Sequence, residues 1–409
     1  MDTRLKEILA TIEEIGHLSE SAMEEARARQ EILAKPTGAL GELEEITIRL
    51  AGITGKVKND MTKQAIAIFS ADNGVVDEGV ASAPQSVTLS QTINFTRRLT
   101  GVGSMAKYFG IDLLVVDMGV KMDIPQELYT MDMTQHQCSD AEGGCVQGLS
   151  RGIVNRSLGR GTKNLAKGPA MTREEALQAI YTGMDAVEAI KRCGYHVFGV
   201  GEMGIGNTTT SACVLAALLG LDGEDVVGRG GGLNDEGMLK KVRIVDEAVA
   251  RCEQYGGGNV VDEADTEHIQ TRISKDIDVV GILAEVGGFD ICAMVGAFLG
   301  AAYYKLPVVI DGYISAVAAL AAYWLAPQVT DFMFGSHVSK EKGYMAAMDA
   351  LDVKPYFNLG MRLGEGSGCP ISFKIMETAC ATMNGMATFA EGAIDADYLQ
   401  EAKKGNFFN

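Results

Sequence analysis

The sequence has 409 residues, of which 47% are hydrophobic and 22% charged, which is typical of a globular protein large enough to bury a sizeable core. Its formal net charge of −18 at pH 7 argues against nucleic acid or an anionic membrane as the main partner. The N-terminal segment 1–29 has no apolar core of a secretory signal, and the eight cysteines show no paired spacing. We therefore expect reduced thiols and a cytoplasmic location.

The first strong local pattern is helical. Apolar residues within 3–34 recur at helical spacing: Leu5, Ile8, Leu9, Ile12 and Ile15. A break at 35–38 precedes a second helical stretch over 40–51, and helical spacing returns over 371–402. We predict a small helical domain built from residues 1–60 and 371–409, beside a large α/β nucleotide-binding domain over residues 61–370.

Short apolar runs between helical segments predict buried strands. These runs are 65–69, 112–116, 196–200, 306–310 and 331–334. Continuous apolar strands that alternate with helices indicate a Rossmann-like, mostly parallel sheet flanked by helices. Polar residues follow these strands, and in open α/β sheets ligands bind at that edge. We therefore expect one crevice to be lined by the strand-end residues Asp72, Asp117, Glu202, Asp311 and Ser336.

Residues 312–330 carry no charge and are nearly long enough to span a membrane. They are rich in alanine, lie between Asp311 and Asp331, and lack a basic flank, which favours a helix buried in the core. In the preceding helical segment, the glycines at 288, 296 and 300 predict close packing of that helix on the sheet.

Residues 121–150 interrupt the alternation of strands and helices with a polar segment. His136, Cys138 and Cys145 within it could bind a metal, but their spacing matches no standard zinc pattern. We favour a flexible, inserted surface loop over a metal site, and we predict neither a metal nor a cofactor for the protein.

The most informative stretch is 201–210, Gly-Glu-Met-Gly-Ile-Gly-Asn-Thr-Thr-Thr, which lies between an apolar strand and the predicted helix 211–219. Glycines let the backbone approach a ligand, and free N–H groups at a helix N-terminus bind phosphate. The stretch is neither a Walker A loop nor GxGxxG. A capped helix after a tight turn is the alternative interpretation.

A second glycine-rich stretch, 358–368, holds a single carboxylate, Glu365, between Gly364 and Gly366. A carboxylate on a loop that can approach a ligand closely is a candidate general base. The alternative is a solvated glutamate on a surface loop.

Taken together, these motifs resemble the nicotinate-nucleotide–dimethylbenzimidazole phosphoribosyltransferase (CobT) family of cobamide biosynthesis. The resemblance extends over most of the chain and runs in the same order throughout: 71–76 (ADNGVV), 84–88 (PQSVT), 168–172 (GPAMT), 201–209 (GEMGIGNTT), 285–290 (EVGGFD), 311–312 (DG) and 336–339 (SHVS). It implies transfer of phosphoribose from nicotinate mononucleotide to an aromatic lower-ligand base, such as 5,6-dimethylbenzimidazole or a related azole, purine or phenol. The products would be an α-ribazole 5′-phosphate-type nucleotide and nicotinate.

The resemblance also implies roles for individual residues. Glu365 would be the catalytic base and Glu202 would bind ribose hydroxyls. The 5′-phosphate would be held, through backbone N–H groups rather than a metal or positive side chains, by Gly204, Ile205, Gly206, Asn207 and Thr208. Asp311 and Ser339 would lie near the nucleotide or the departing nicotinate. The acceptor base would be lined by Ser82, Ser90, Met203 and Leu363.

At Ser90 the family pattern has glutamine in members that use benzimidazole, so an altered acceptor pocket is expected. A homodimer is the expected assembly, with a heterodimer as the alternative. Three other interpretations stay open: a nucleosidase on the same fold, a nucleotide-dependent oxidoreductase, which should show GxGxxG after its first strand, and a non-catalytic partner subunit, which should have lost its base.

Overall fold

The computed structural model describes residues 2–15, 17–138, 145–229, 232–257 and 277–395. The helices in these ranges are α1 (Thr3–Ile15), α2 (Glu20–Ile32), α3 (Glu42–Thr54), α4 (Ser86–Thr96), α5 (Gly101–Phe109), α6 (Arg173–Arg192), α7 (Asn207–Leu219), α8 (Gly223–Val226), α9 (Asp235–Ala250), α10 (Val279–Val286), α11 (Phe289–Tyr303), α12 (Tyr313–Leu325), α13 (Tyr344–Leu351) and α14 (Cys369–Gly385). The strands are β1 (Gln64–Ala71), β2 (Asp112–Gly119), β3 (Tyr129–Thr130), β4 (Thr134–Cys138), β5 (Cys145–Leu149), β6 (Ile153–Asn155), β7 (Val197–Met203), β8 (Val308–Ile310) and β9 (Met333–Gly335).

Seven strands form one sheet in the order β3-β6-β2-β1-β7-β8-β9, and every neighbouring pair in it is parallel. All eight residues of β1 are buried, because helices cover both faces of the sheet. The prediction of a Rossmann-like, mostly parallel sheet flanked by helices is therefore confirmed. All five predicted strands are present, whereas the short strands β3, at the edge of the sheet, and β6, next to it, were not predicted.

The glycines of α11 face another helix rather than the sheet. A side chain at Gly296 would collide with the backbone carbonyl of Ile180 in α6, and one at Gly300 would come within 3.0 Å of Val187. Gly288 lies just before the helix, as its N-cap. Close packing at glycines of α11 is therefore confirmed, but the predicted partner was wrong. Gly296 and Gly300 pack against helix α6 and not against the sheet.

The uncharged stretch after β8 forms the buried helix α12, followed by a short 3-10 helix over Pro327–Phe332. Among the described residues, no helix combines the length and apolar character needed to cross a membrane.

The helices near the two ends of the chain contact different parts of the molecule. Ala26, Leu33, Ile48 and Met383 belong to one small apolar cluster that joins α2, α3 and α14, and a β-bridge pairs Leu33 with Thr388. In contrast, α1 contacts α11 and contributes to the large core around the sheet. The division into a terminal helical domain and a large α/β domain stays a prediction.

The polar segment 121–150 has more regular backbone than expected. It holds β3 in the main sheet and an antiparallel pair of strands, β4 and β5. The side chains of His136, Cys138 and Cys145 lie outside the described residues, so the preference for a surface loop over a metal site stays a prediction.

Candidate active site

A cavity of about 590 Å³ lies at the carboxyl ends of the central strands. Its walls come from the loop before α4, from the turn between β7 and α7, from the residues after β8 and β9, and from the loop 362–365. All of the predicted site residues line it except Ser90. Segments far apart in the chain therefore meet at the sheet edge where the strand pattern predicted a ligand.

Ser90 does not reach this cavity. It lies on the exposed side of α4, where its hydroxyl donates to the Ser86 carbonyl at 3.0 Å. The next residue, Gln91, lines the cavity instead and donates from Nε2 to Oε1 of Glu365 at 3.3 Å. A one-residue step on a helix turns a side chain by about 100°, so the expected position was on the wrong face.

In the turn between β7 and α7, the backbone passes close to the backbone at the end of β1. Gly206 has a φ of +94°, and a side chain at Gly204 would collide with the Ala71 carbonyl. The Ile205 N–H donates to the Thr88 hydroxyl at 3.2 Å, which fixes the turn against α4. Helix α7 starts without a side-chain cap, so the alternative interpretation of this stretch as a capped helix is not supported. Within the first turn of α7, the Asn207 and Thr209 N–H groups donate to the Gly204 and Gly206 carbonyls at 3.1 and 2.9 Å, so Thr208 is the residue of this turn whose N–H is left to face an anion.

A buried cation lies beside this helix start. Lys241 of α9 is fully buried, and its Nζ donates to the Thr208 hydroxyl at 3.0 Å and to the Gly228 carbonyl at 3.3 Å. Burial lowers its pKa to about 8. The sequence patterns did not single out this lysine, and only its helical spacing relative to the apolar face of α9 could have indicated that it is buried.

Two buried carboxylates face one amide at the start of α7. The Asn207 side-chain N–H₂ group donates to Oε2 of Glu202 and, at 3.0 Å, to Oδ2 of Asp290. Because only the nitrogen can donate to two carboxylates, the orientation of the Asn207 amide is determined. Burial, and after it the Asp290 carboxylate, raise the pKa of Glu202 to about 8, and burial raises the pKa of Asp290 to about 6.

Glu365 lies at the N-terminus of a helix. Its Oε2 accepts the Val102 N–H of α5 at 3.1 Å, while Oε1 accepts Gln91. Burial raises the pKa of Glu365, and the amides of Val102 and Gly101 oppose that shift. The site thus holds a buried carboxylate that can exist as an anion because a helix end faces it. No pattern in the sequence indicated this contact with α5.

The loop that carries Glu365 is bound by two other carboxylates. Oδ1 of Asp311 accepts the Gly368 N–H at 2.6 Å, Oδ2 accepts the Gly366 N–H at 3.0 Å, and Oε1 of Glu202 accepts the Glu365 N–H at 3.4 Å. Burial raises the pKa of Asp311 to about 7. Asp311 was expected near the nucleotide or nicotinate, and it does line the cavity, but both of its oxygens hold the loop.

The other strand-end residues lie behind the cavity. Asp72 accepts the Thr88 hydroxyl at 2.8 Å, Asp117 accepts the Tyr129 hydroxyl at 2.5 Å, and the Ser336 hydroxyl donates to the Asp311 carbonyl. The expectation that all five residues line one crevice is therefore wrong for these three. Their polar groups stabilise turns instead of facing the open space.

Comparison with known proteins finds relatives over almost the whole chain. The DBI_PRT family model, described as phosphoribosyltransferase, matches residues 15–394. The nicotinate-nucleotide–dimethylbenzimidazole phosphoribosyltransferase of Clostridium perfringens is 47% identical over 98% of both chains. The Clostridium tetani protein of the same name is 40% identical and aligns over 98% of this chain and 99% of its own. A crystal structure of CobT from Thermus thermophilus matches with a TM-score of 0.77 and 34% identity, over 92% of this chain and 99% of that one.

The raised pKa of Glu202 predicts a pH dependence of stability. Between its ordinary value of 4.5 and about 8, the folded chain keeps a proton that the unfolded chain has lost. This group's contribution to the free energy of unfolding should therefore fall as the pH rises through that window, by up to about 1.4 kcal/mol per pH unit. Urea unfolding at several pH values should show a smaller decline for Glu202→Gln than for the wild type. The exposed variant Glu13→Gln should match the wild type, and equal slopes in all three proteins would contradict the prediction.

The contacts of Asp311 predict that it fixes the loop. Asp311→Asn keeps one acceptor oxygen and sets an N–H₂ group against a backbone N–H, so hydrogen exchange at Gly366 and Gly368 should accelerate by at least about tenfold. Amide exchange followed by mass spectrometry measures this rate. Ser336→Ala is the matched control, because Ser336 bonds the Asp311 carbonyl rather than the loop, and equal exchange in both variants would show that Asp311 does not hold the loop.

Proposed function

This chain belongs to the nicotinate-nucleotide–dimethylbenzimidazole phosphoribosyltransferase family, and we propose that it moves phosphoribose from nicotinate mononucleotide to an aromatic lower-ligand base. The acceptor is 5,6-dimethylbenzimidazole or a related azole, purine or phenol. The products are an α-ribazole 5′-phosphate-type nucleotide and nicotinate. The position of Glu365 in the wall of the main cavity, within hydrogen-bond reach of Gln91 and of the α5 amides, is the observation that carries the proposal.

The 5′-phosphate binds at the N-terminus of α7. Gly204 and Gly206 let the backbone approach the anion, and the Thr208 N–H faces it, since the Asn207 and Thr209 N–H groups already donate to the Gly204 and Gly206 carbonyls. Lys241 adds a cation next to Thr208, so the phosphate is held by backbone and a buried lysine together. This revises the expectation, made from sequence, that no positive side chain takes part. A protein with a net charge of −18 can bind an anionic donor because these groups act locally.

Glu202 and Asn207 bind the ribose hydroxyls. Both line the cavity next to the phosphate turn. A carboxyl group with a pKa of about 8 can donate to or accept from a hydroxyl near neutral pH. Since the Asn207 amide nitrogen is taken by two carboxylates, its oxygen is the group left for the substrate.

Glu365 removes the acceptor's proton. One nitrogen of an azole attacks the anomeric carbon, the N–H proton of the other passes to the carboxylate, and the bond to the pyridinium nitrogen breaks with its electron pair on nicotinate. General base catalysis of this kind contributes roughly 10²–10⁴-fold. The pyridinium loses its positive charge as it departs, so the leaving group needs no acid.

The acceptor lies between α4 and the Glu365 loop. Ser82, Met203 and Leu363 line this side, together with Gln91. Leu363 is 58% exposed, so its side chain is available to contact a flat apolar ligand. A cytoplasmic location and a homodimer, or alternatively a heterodimer, stay predictions from the sequence.

Glu365→Gln should bind nicotinate mononucleotide with near wild-type affinity and lose roughly 10²–10⁴-fold in turnover, because glutamine keeps the shape but cannot accept the proton. Calorimetry measures binding, and mass analysis of products from a panel of azoles, purines and phenols measures turnover. The exposed variant Glu127→Gln is the control. Unchanged turnover in Glu365→Gln would remove Glu365 from the mechanism, and nicotinate released without any acceptor would favour the nucleosidase.

Lys241→Met should weaken binding of nicotinate mononucleotide roughly 10- to 100-fold, because a charge-assisted hydrogen bond to the phosphate is lost while the buried volume is kept. Binding of the corresponding nucleoside, which lacks the phosphate, should not change. The neighbouring Lys240→Met, whose Nζ contacts Glu78, is the matched control. An equal loss for nucleotide and nucleoside would show that Lys241 only supports the fold.

A further inference from the structure

A buried carboxyl group lies directly behind the ribose side of the cavity. Asp290 is in the first turn of α11, is 0% exposed, and does not line the cavity. Its Oδ2 accepts one N–H of the Asn207 side chain at 3.0 Å, and Oε2 of Glu202 accepts the other. Asp290 therefore reaches the cavity only through Asn207, and no step of the proposed reaction uses it.

The Asn207 amide is a bridge between the two carboxyl groups. An N–H₂ group has two hydrogens, so each carboxyl group receives one and none is left for a third partner. The plane of the amide is thereby fixed, and its oxygen is the atom left for a ligand in the cavity that Asn207 lines. Without Asp290, one of these hydrogens loses its acceptor, and the amide can turn.

The two carboxyl groups are too close in a dry interior to be ionised together. Glu202 is 8% exposed and Asp290 is 0% exposed, and neither forms an ion pair with a lysine or arginine of the described residues. Two negative charges on either side of one nitrogen repel strongly where water is excluded. Such a pair keeps one proton over a wide range of pH.

The shared proton belongs on Glu202. Asp290 is in the first turn of α11, whose N–H groups favour a negative charge there. Burial raises the pKa of Asp290 to about 6, whereas burial and the neighbouring Asp290 raise that of Glu202 to about 8. Near neutral pH, Asp290 is thus the anion and Glu202 the acid. Oε1 of Glu202 accepts only the long bond from the Glu365 N–H at 3.4 Å, so this oxygen can carry the proton.

Other carboxyl groups face this pair from neighbouring elements. Besides burial and Asp290, Asp311, which follows β8, raises the pKa of Glu202. Besides burial, Asp72, which follows β1, raises the pKa of Asp290. Glu365 contacts Glu202 through its backbone N–H. The side chains of these neighbours are all acids, so their charges favour retention of the proton.

We propose that Asp290 is a positioning residue, which turns the Asn207 oxygen toward the ribose and keeps Glu202 in its neutral, proton-bearing form. The inference rests on the proposed function, because it assigns a task within ribose binding. A neutral Glu202 donates a hydrogen bond to one ribose hydroxyl, and the Asn207 oxygen accepts one from the other. An ionised Glu202 can only accept, so both ribose hydroxyls would have to donate.

The pH dependence of kcat/KM tests this inference on the full chain, because it reports the ionisation of groups in the free enzyme. With nicotinate mononucleotide and 5,6-dimethylbenzimidazole, wild-type kcat/KM should fall above about pH 8, where Glu202 loses its proton. In Asp290→Asn the neighbouring charge is gone, so the pKa of Glu202 falls and the decline should begin at least about one pH unit lower. At about pH 8 the variant should be severalfold slower than the wild type, and at about pH 6 nearly equal to it.

Further variants separate the lost proton from a disturbed fold. Glutamine can donate and accept but cannot ionise, so Glu202→Gln should show no decline above about pH 8. Adding Asp290→Asn to it should then change kcat/KM by the same factor at every pH. Asp117→Asn is the matched control, because Asp117 is also buried at a strand end but bonds Tyr129, and its decline should stay at the wild-type pH.

Infrared difference spectra of the free protein give a readout that does not require turnover. The difference between the wild type and Glu202→Gln isolates the carboxyl band of Glu202, which should be mainly that of the neutral acid at about pH 7.5. In the Asp290→Asn background, the same difference should show mainly the carboxylate at that pH. If Asp290→Asn does not fold, the wild-type spectra still decide.

Two results would overturn the inference. One is a wild-type spectrum in which Glu202 is already ionised at about pH 6. The other is a decline of kcat/KM in Asp290→Asn by the same factor at every pH, which would leave Asp290 only a role in the fold. Absence of turnover in the wild type, together with a neutral Glu202, would instead overturn the proposed function while the assignment of the proton stands.

Discussion

The hydrogen bonds from a buried loop to two buried carboxylates hold this site together. Asp311 accepts the N–H groups of Gly366 and Gly368, and Glu202 accepts that of Glu365. These bonds pull the loop 364–368 against the ends of β7 and β8. The carboxylates do not need a lysine or arginine partner for this task, because backbone N–H groups satisfy their oxygens in a desolvated setting.

The loop needs such anchors because its conformation is unfavourable. Gly364, Glu365 and Gly366 have φ values of +81°, +63° and +85°, and a left-handed conformation at a residue with a side chain costs roughly 1–3 kcal/mol. The glycines make the turn possible, while the carboxylates and the α5 amides select one position for the Glu365 side chain. In the proposed reaction, a base held this way is already placed when the acceptor arrives, so little ordering remains during the reaction.

The sequence predicted the fold and most of the cavity because both follow from short-range patterns. Apolar strands, glycine turns and the rule that ligands bind at strand ends located Glu202, the 204–208 turn and Glu365. The sequence patterns failed where a prediction depended on which face of a helix points toward the cavity or the core. Gln91 rather than Ser90 reaches the cavity, Lys241 is buried, and Gly296 faces α6. Long-range contacts such as Glu365 with α5 leave no local trace, so only the three-dimensional structure reveals them.

The two walls of the cavity differ in how exposed their residues are, and this difference determines where substitutions are tolerated. On one wall Ser82 and Leu363 are open to solvent, whereas Glu202, Asp311 and His337 on the other are almost fully enclosed. Exposed positions tolerate new side chains at little thermodynamic cost, while enclosed ones do not. For the proposed reaction, the choice of aromatic acceptor can therefore change by exchange of exposed residues, while the enclosed residues of the cavity stay constrained by their packing.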